Sequence, residues 1–136
     1  MNISVNLWSV LIAAVAAMVV GYLWYGPLFG RRWMHYMGWT KESMAGKAQG
    51  MGGKYLLGFI GALVTAYVLA HFVVLLKVTS MAGAWQLAFW AWLGFFATRA
   101  LSAMIWEGKP FGLYVLNVLH DLVALAVMAA VLVRWM

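Results

Sequence analysis

Apolar positions along this chain gather into four long runs, approximately 7–29, 55–76, 85–106 and 111–133, each free or nearly free of charge. A helix needs about 20 predominantly apolar residues to cross a bilayer, so each run predicts a membrane-spanning helix. No run alternates with the period of a strand. The pattern predicts an all-α fold: one integral membrane domain over 1–136, built as an antiparallel four-helix transmembrane bundle. A secretory leader is the competing reading of the first run. That run has no basic segment before it, exceeds the length of a leader's apolar core, and is followed by Arg31 and Arg32 instead of a small-residue cleavage site. It reads as a retained helix.

The first run ends in GYLWYGPLFGRRW, from Gly21 to Trp33. Aromatic rings prefer the headgroup level, where a ring is half buried and its polar edge still finds a partner. Trp24, Tyr25, Phe29 and Trp33 beside two arginines therefore predict a membrane exit. Pro27 removes the backbone hydrogen bond that would reach the Leu23 carbonyl, which kinks or ends the helix there. The segment 31–37, RRWMHYM, mixes base and aromatic as an interfacial anchor does. The connection 30–54 is the one sizeable extramembrane piece; its tail, 45–53, has linker composition, and Thr40 predicts a cap for a short helix from Lys41.

Charge then orients the bundle. Short cytoplasmic connections carry the excess of Lys and Arg. Arg31, Arg32, Lys41, Lys47 and Lys54 lie between the first two runs and Lys109 between the last two, against Lys77 and Arg134 on the other side. The expected topology in a cell inner (plasma) membrane has both termini outside and the 30–54 loop cytoplasmic. Composition agrees with burial in lipid: 67% of residues are hydrophobic and 9% charged, where a soluble domain carries roughly 25% charged. The formal charge of +6 is dispersed at helix ends with no soluble domain to present a groove, which argues against nucleic acid as a partner. With Cys 0, disulfides, thiolate nucleophiles and sulfur-ligated metals are excluded.

Helices in lipid associate through close packing of small residues. Gly58, Ala62, Ala66 and Ala70 repeat at four-residue spacing on the second helix; Ala13, Ala17 and Gly21 mark the first, Ala126 and Ala130 the fourth. These stripes are the expected packing seams, within one chain or between copies.

Ionisable residues inside a span are costly and point to function by default. The candidates are Arg99 in the third run, His120 and Asp121 in the fourth, and His71 in the second. Counting outward from Gly108 at about 1.5 Å per residue puts Arg99 roughly 14 Å, Asn117 about 13 Å and Asp121 about 19 Å from the turn. Tyr114, Asn117 and Asp121 share one helix face, and Trp92, Phe95, Arg99, Ser102 and Trp106 share another. The expectation is an Arg99–Asp121 ion pair with Asn117 beside it and His120 at its edge, serving either helix register or a ligand or ion pathway. His71 falls at a different depth from His120, so a haem held between two histidines fits poorly. No phosphate loop, zinc motif or Ser-His-Asp order is present, and three acidic residues leave little room for paired-carboxylate chemistry. No catalytic residue, metal site or cofactor is expected, and nothing in the sequence supports an enzyme.

The stretches Leu23-Trp24-Tyr25-Gly26-Pro27-Leu28-Phe29-Gly30, Ala66-Tyr67-Val68-Leu69-Ala70-His71, Trp92-Leu93-Gly94-Phe95, Trp106-Glu107-Gly108-Lys109-Pro110 and the last helix from His120 to Met128 resemble the bacterial membrane family catalogued as domain of unknown function 1761. The resemblance covers nearly the whole chain and implies a small four-span protein; it brings no activity, cofactor or catalytic residue with it.

Two functions compete on these residues. The first is a non-enzymatic bundle that binds a small amphipathic ligand or a partner protein within its aromatic lining, Trp92 and Phe95 included. The alternative is a homo-oligomeric transporter or channel whose pathway passes Arg99, Asn117, His120 and Asp121. A bundle this small encloses little volume alone, so transport implies at least a homodimer. Membrane lipids are partners in both.

Overall fold

The computed structural model of the chain describes residues 5–38 and 51–135. Among them the elements are α1 (Leu7–Leu23), a π-helical turn (Trp24–Leu28), α2 (Gly30–Met37), α3 (Met51–Leu75), α4 (Met81–Ala91), a second π-helical turn (Trp92–Ala97), α5 (Thr98–Glu107) and α6 (Phe111–Trp135). No strand occurs among the described residues. Four helical stretches, Leu7–Leu28, Gly52–Leu75, Met81–Glu107 and Phe111–Trp135, are long and apolar enough to cross a membrane. The chain is an all-α, four-span bundle.

Capping chemistry sets several helix ends. The Asn6 side chain accepts from the backbone N–H of Trp8 at 3.0 Å and of Ser9 at 3.4 Å, satisfying two of the first-turn donors that lipid cannot. Ser80 does the same for α4, its Oγ accepting from Gly83 N–H at 3.0 Å. That cap starts the third span at Met81, ahead of the apolar run that begins near Trp85. The second span takes in Lys54, which is exposed on α3. Gly38 (φ 73°) and Gly108 (φ 69°) end α2 and α5 in the left-handed conformation that glycine adopts freely. The expected cap at Thr40 and the linker up to Gly50 lie outside the described residues.

The core is built from small side chains. Val10 and Ala13 of α1, Ala66, Leu69, Ala70 and Val73 of α3, Ala84 and Ala88 of α4, and Leu125, Met128, Ala129 and Leu132 of α6 form one buried cluster. Alanine at the crossings lets backbones approach, the arrangement that dispersion favours where lipid removes the hydrophobic drive. Large apolar side chains such as Ile12, Leu57, Trp85, Trp90 and Phe111 point outward. α6 is the central helix, packing on α1, α3 and α4.

α1 and α6 are tied at both ends. Ser9 Oγ donates to the Trp135 carbonyl at 2.7 Å and Asn6 Nδ2 donates to the same oxygen at 3.2 Å, so the first turn of α1 caps the last turn of α6. At the other end Trp24 Nε1 donates to the Leu116 carbonyl at 3.1 Å. The small-residue stripe on α3 is divided: Ala66 and Ala70 are fully buried in the core, whereas Gly58 and Ala62 line a cavity between α1, α3 and α6.

Candidate functional site

The site is built where the two π turns meet α6. Pro27 has no N–H for the Leu23 carbonyl, and the backbone responds by widening: Phe29 N–H reaches back to the Trp24 carbonyl at 2.9 Å, one residue further than an α turn would. The widened turn presents two side chains to α6. Trp24 bonds the Leu116 carbonyl, and the Tyr25 hydroxyl donates to Asn117 Oδ1 at 2.7 Å.

The third span carries the matching turn. Trp92 Nε1 donates to the Val118 carbonyl at 2.6 Å, and the Tyr114 hydroxyl donates back to the Ala97 carbonyl at 2.9 Å. Thr98 Oγ1 donates to the Gly94 carbonyl at 2.7 Å, the side-chain-to-backbone bond that loosens a helix locally. Leu116 and Val118 stand about 200° apart around α6. The two indoles therefore grip it from opposite sides.

Below this clamp lies a cavity of about 1060 Å³. Ala17, Met18, Gly21, Ala124, Leu125 and Met128 give it apolar walls; Tyr22, Tyr25, Trp33, Tyr55 and Phe96 give it aromatic ones; Thr65, His120, Asp121 and Lys54 are its polar groups. His120 Nδ1 lies 3.2 Å from Asp121 Oδ1, with side-chain exposures of 19% and 33%. The contact puts a hydrogen on Nδ1, facing the carboxylate. Nε2 is buried with no hydrogen-bond partner among the described residues. It stands 3.5 Å from the point where a Cβ on Gly21 would lie, with the rings of Tyr25 at 5.0 Å and Trp24 at 6.2 Å closing over the imidazole.

The expected Arg99–Asp121 pair is not formed. His120 is the partner of Asp121, and no arginine or lysine nitrogen among the described residues lies within 4.0 Å of a carboxylate. The cause is the second π turn. It takes in one residue more than an α turn, so every later position is displaced by about 100° around the axis from where an unbroken helical period would put it. Trp92, at the start of that turn, still faces α6. Arg99 and Ser102, after it, are exposed, as are Phe95 at 70% and Trp106 at 83%, and Phe96 lines the cavity in place of Phe95.

Of the other expected residues, Tyr114 and Asn117 join the clamp, and His120 and Asp121 line the cavity. His71 stands apart, its Nδ1 2.8 Å from the Tyr67 carbonyl one turn back. No three His, Asp or Glu side chains among the described residues converge as metal ligands would. Sequence reasoning placed Trp24 and Tyr25 at the membrane surface as belt residues and missed them as clamp residues. Pro27 was the usable signal, since a proline two positions after an aromatic pair predicts a distorted turn that re-aims them.

Comparison with known proteins returns one family model, described as a protein of unknown function (DUF1761), which matches residues 8–133. No curated protein and no solved structure matches the chain.

Proposed function

The chain belongs to the DUF1761 family, and on that premise we propose that it is a non-enzymatic membrane protein that holds a small amphipathic ligand in the cavity between α1, α3 and α6. The cavity itself carries this reading: about 1060 Å³, apolar along most of its wall and polar at His120 and Asp121. Ligand sites are typically clefts of roughly 300–1,000 Å³ with a few convergent polar groups in an apolar lining. The dry walls suit an acyl-like chain, and the polar groups suit its head.

The proposed setting is a cell inner membrane, with the spans antiparallel and both termini outside. The distribution of base supports it: Arg31, Arg32, Lys54 and Lys109 cluster at one set of connections, Lys77 and Arg134 at the other.

Native mass spectrometry of protein released from a mild detergent tests the reading. The expected spectrum is a monomer carrying one defined small mass, lost in Ala62→Phe, which fills the cavity from α3. A wild-type spectrum with no retained mass would overturn it.

A second reading draws on the His120–Asp121 pair, since an ionisable pair inside a span also suits proton or ion movement. In that reading the chain is a homo-oligomeric transporter or channel, and its pathway runs through Asn117, His120 and Asp121 without Arg99. A ligand-free dimer in the same spectrum, with a liposome flux abolished by Asp121→Asn, is its expected result; unchanged flux in Asp121→Asn would exclude it.

A further inference from the structure

We infer that the occupant of this cavity carries a cationic head, an alkylammonium on an apolar chain, with the Asp121 carboxylate as its counter-ion. The inference rests on the ligand-binding reading above and names the class of ligand that site takes.

The argument starts from the missing arginine. A carboxylate within a span is expensive unless a cation accompanies it. The one arginine at a comparable depth, Arg99, is turned away by the π turn at Trp92–Ala97 and is exposed. Asp121 keeps only the Nδ1 contact with His120, on one of its two oxygens, and its side chain is 33% exposed on the cavity side of α6. An ionised carboxylate offers about four acceptor positions, so most of its capacity faces the cavity.

The walls fit the same ligand. Tyr22, Tyr25, Trp33, Tyr55 and Phe96 line the cavity with Asp121, and an ammonium group is attracted to aromatic faces as well as to the carboxylate. Ala17, Met18, Leu125 and Met128 leave a slot for an unbranched chain. Lys54, also lining the cavity, stands exposed on the first turn of α3 and makes no ion pair with Asp121. An anionic head would have the exposed Lys54 as its counter-charge in the lining; a cationic one has the half-buried Asp121.

The test is a head-group series of equal chain length. Full-length protein in phosphatidylcholine nanodiscs is titrated calorimetrically with decyltrimethylammonium, decanol and decanoate, and empty nanodiscs are subtracted. The expected result is saturable binding at one site per chain, tighter for the ammonium than for decanol on the order of tenfold, with decanoate weakest. Asp121→Asn should erase the preference while keeping decanol binding, and Arg99→Gln, on the exposed face of α5, should retain it. Equal binding of all three heads to the wild type, or a preference that survives Asp121→Asn, would overturn the inference. Saturable decanol binding with no head preference leaves the cavity reading standing and removes the cation; no saturable binding of any of the three removes both. Should Asp121→Asn fail to assemble, the series on the wild type decides alone.

Discussion

The Tyr25 hydroxyl donates to Asn117 Oδ1 at 2.7 Å, joining the π turn of the first span to the second turn of α6 across 92 positions of sequence. Tyr25→Phe keeps the ring contacts with Trp33 at 5.4 Å and His120 at 5.0 Å and strips Asn117 of its partner. The expected loss of stability is about 1 kcal/mol, in the range measured for hydrogen bonds between membrane helices. Asn117→Leu should cost a similar amount alone and little more when combined with Tyr25→Phe. A double-mutant cycle by unfolding in mixed micelles reads the coupling; strictly additive losses would show that the bond carries no stability.

The Trp135 carbonyl accepts from both Ser9 Oγ and Asn6 Nδ2. Ser9 is 1% exposed, so Ser9→Ala removes a buried donor without changing the packing volume much. The last turn of α6 then loses one of two partners in a place poor in water, and its amides should exchange faster while those near Leu116 keep their protection. Asn6→Ala should fray both helices at this end, because Asn6 also caps α1. Exchange rates unchanged at residues 131–135 in both variants would refute the tie.

Run length and hydropathy made the four spans legible, because crossing lipid requires about 20 apolar residues whatever the packing. The Gly38 and Gly108 terminators and the Asn6 and Ser80 caps follow rules of equal locality. The site was only half legible, and the boundary falls at the π turns. Residues on α6, an unbroken helix, keep the phase that periodicity assigns: Tyr114 and Asn117 bond the two π turns, and His120 and Asp121 line the cavity. Phe95 lies inside the π turn Trp92–Ala97 and Arg99 and Ser102 follow it, so the one-residue slip re-aims all three. Proline announces the first slip. The second has only Gly94 and Thr98 to announce it, and both are common in ordinary membrane helices.

Arg99 has no ion pair among the described residues, and its exposure on α5 makes it replaceable. Arg99→Leu should change stability by less than about 0.5 kcal/mol, the scale of surface substitutions. Asp121→Leu should change it more, since it also removes the partner of His120. Thermal unfolding of the two variants side by side checks the ranking; a loss of several kcal/mol on Arg99→Leu would restore the arginine to the site.

Gly112 sits under the ring of Tyr36, so close that a Cβ at 112 would overlap it. That contact docks α2 against α6, and it predicts that Gly112→Ala lifts α2 away and exposes the 30–38 segment to protease. Tyr36→Ala in the same chain should remove the collision without restoring the dock. Cleavage no faster than wild type in Gly112→Ala would mean the ring has room to move aside.

Pro27→Ala tests what sets the first π turn. Alanine restores an N–H four residues on from Leu23, so the Leu23 carbonyl can be satisfied by an α turn as well as by the i+5 bond of the π turn. Closing the turn by one residue rotates all that follows by about 100°, which carries Tyr36 off Gly112. Opposing this, Trp24 and Tyr25 hold the widened turn through two bonds to α6. With Cys 0 in the native chain, cysteines at 36 and 112 report the geometry cleanly with a short bifunctional thiol reagent. A cross-link that drops several-fold on Pro27→Ala assigns the turn to the proline. A cross-link that persists, and disappears only when Trp24→Phe and Tyr25→Phe are added, assigns it to the clamp and makes the proline a consequence of the site's geometry.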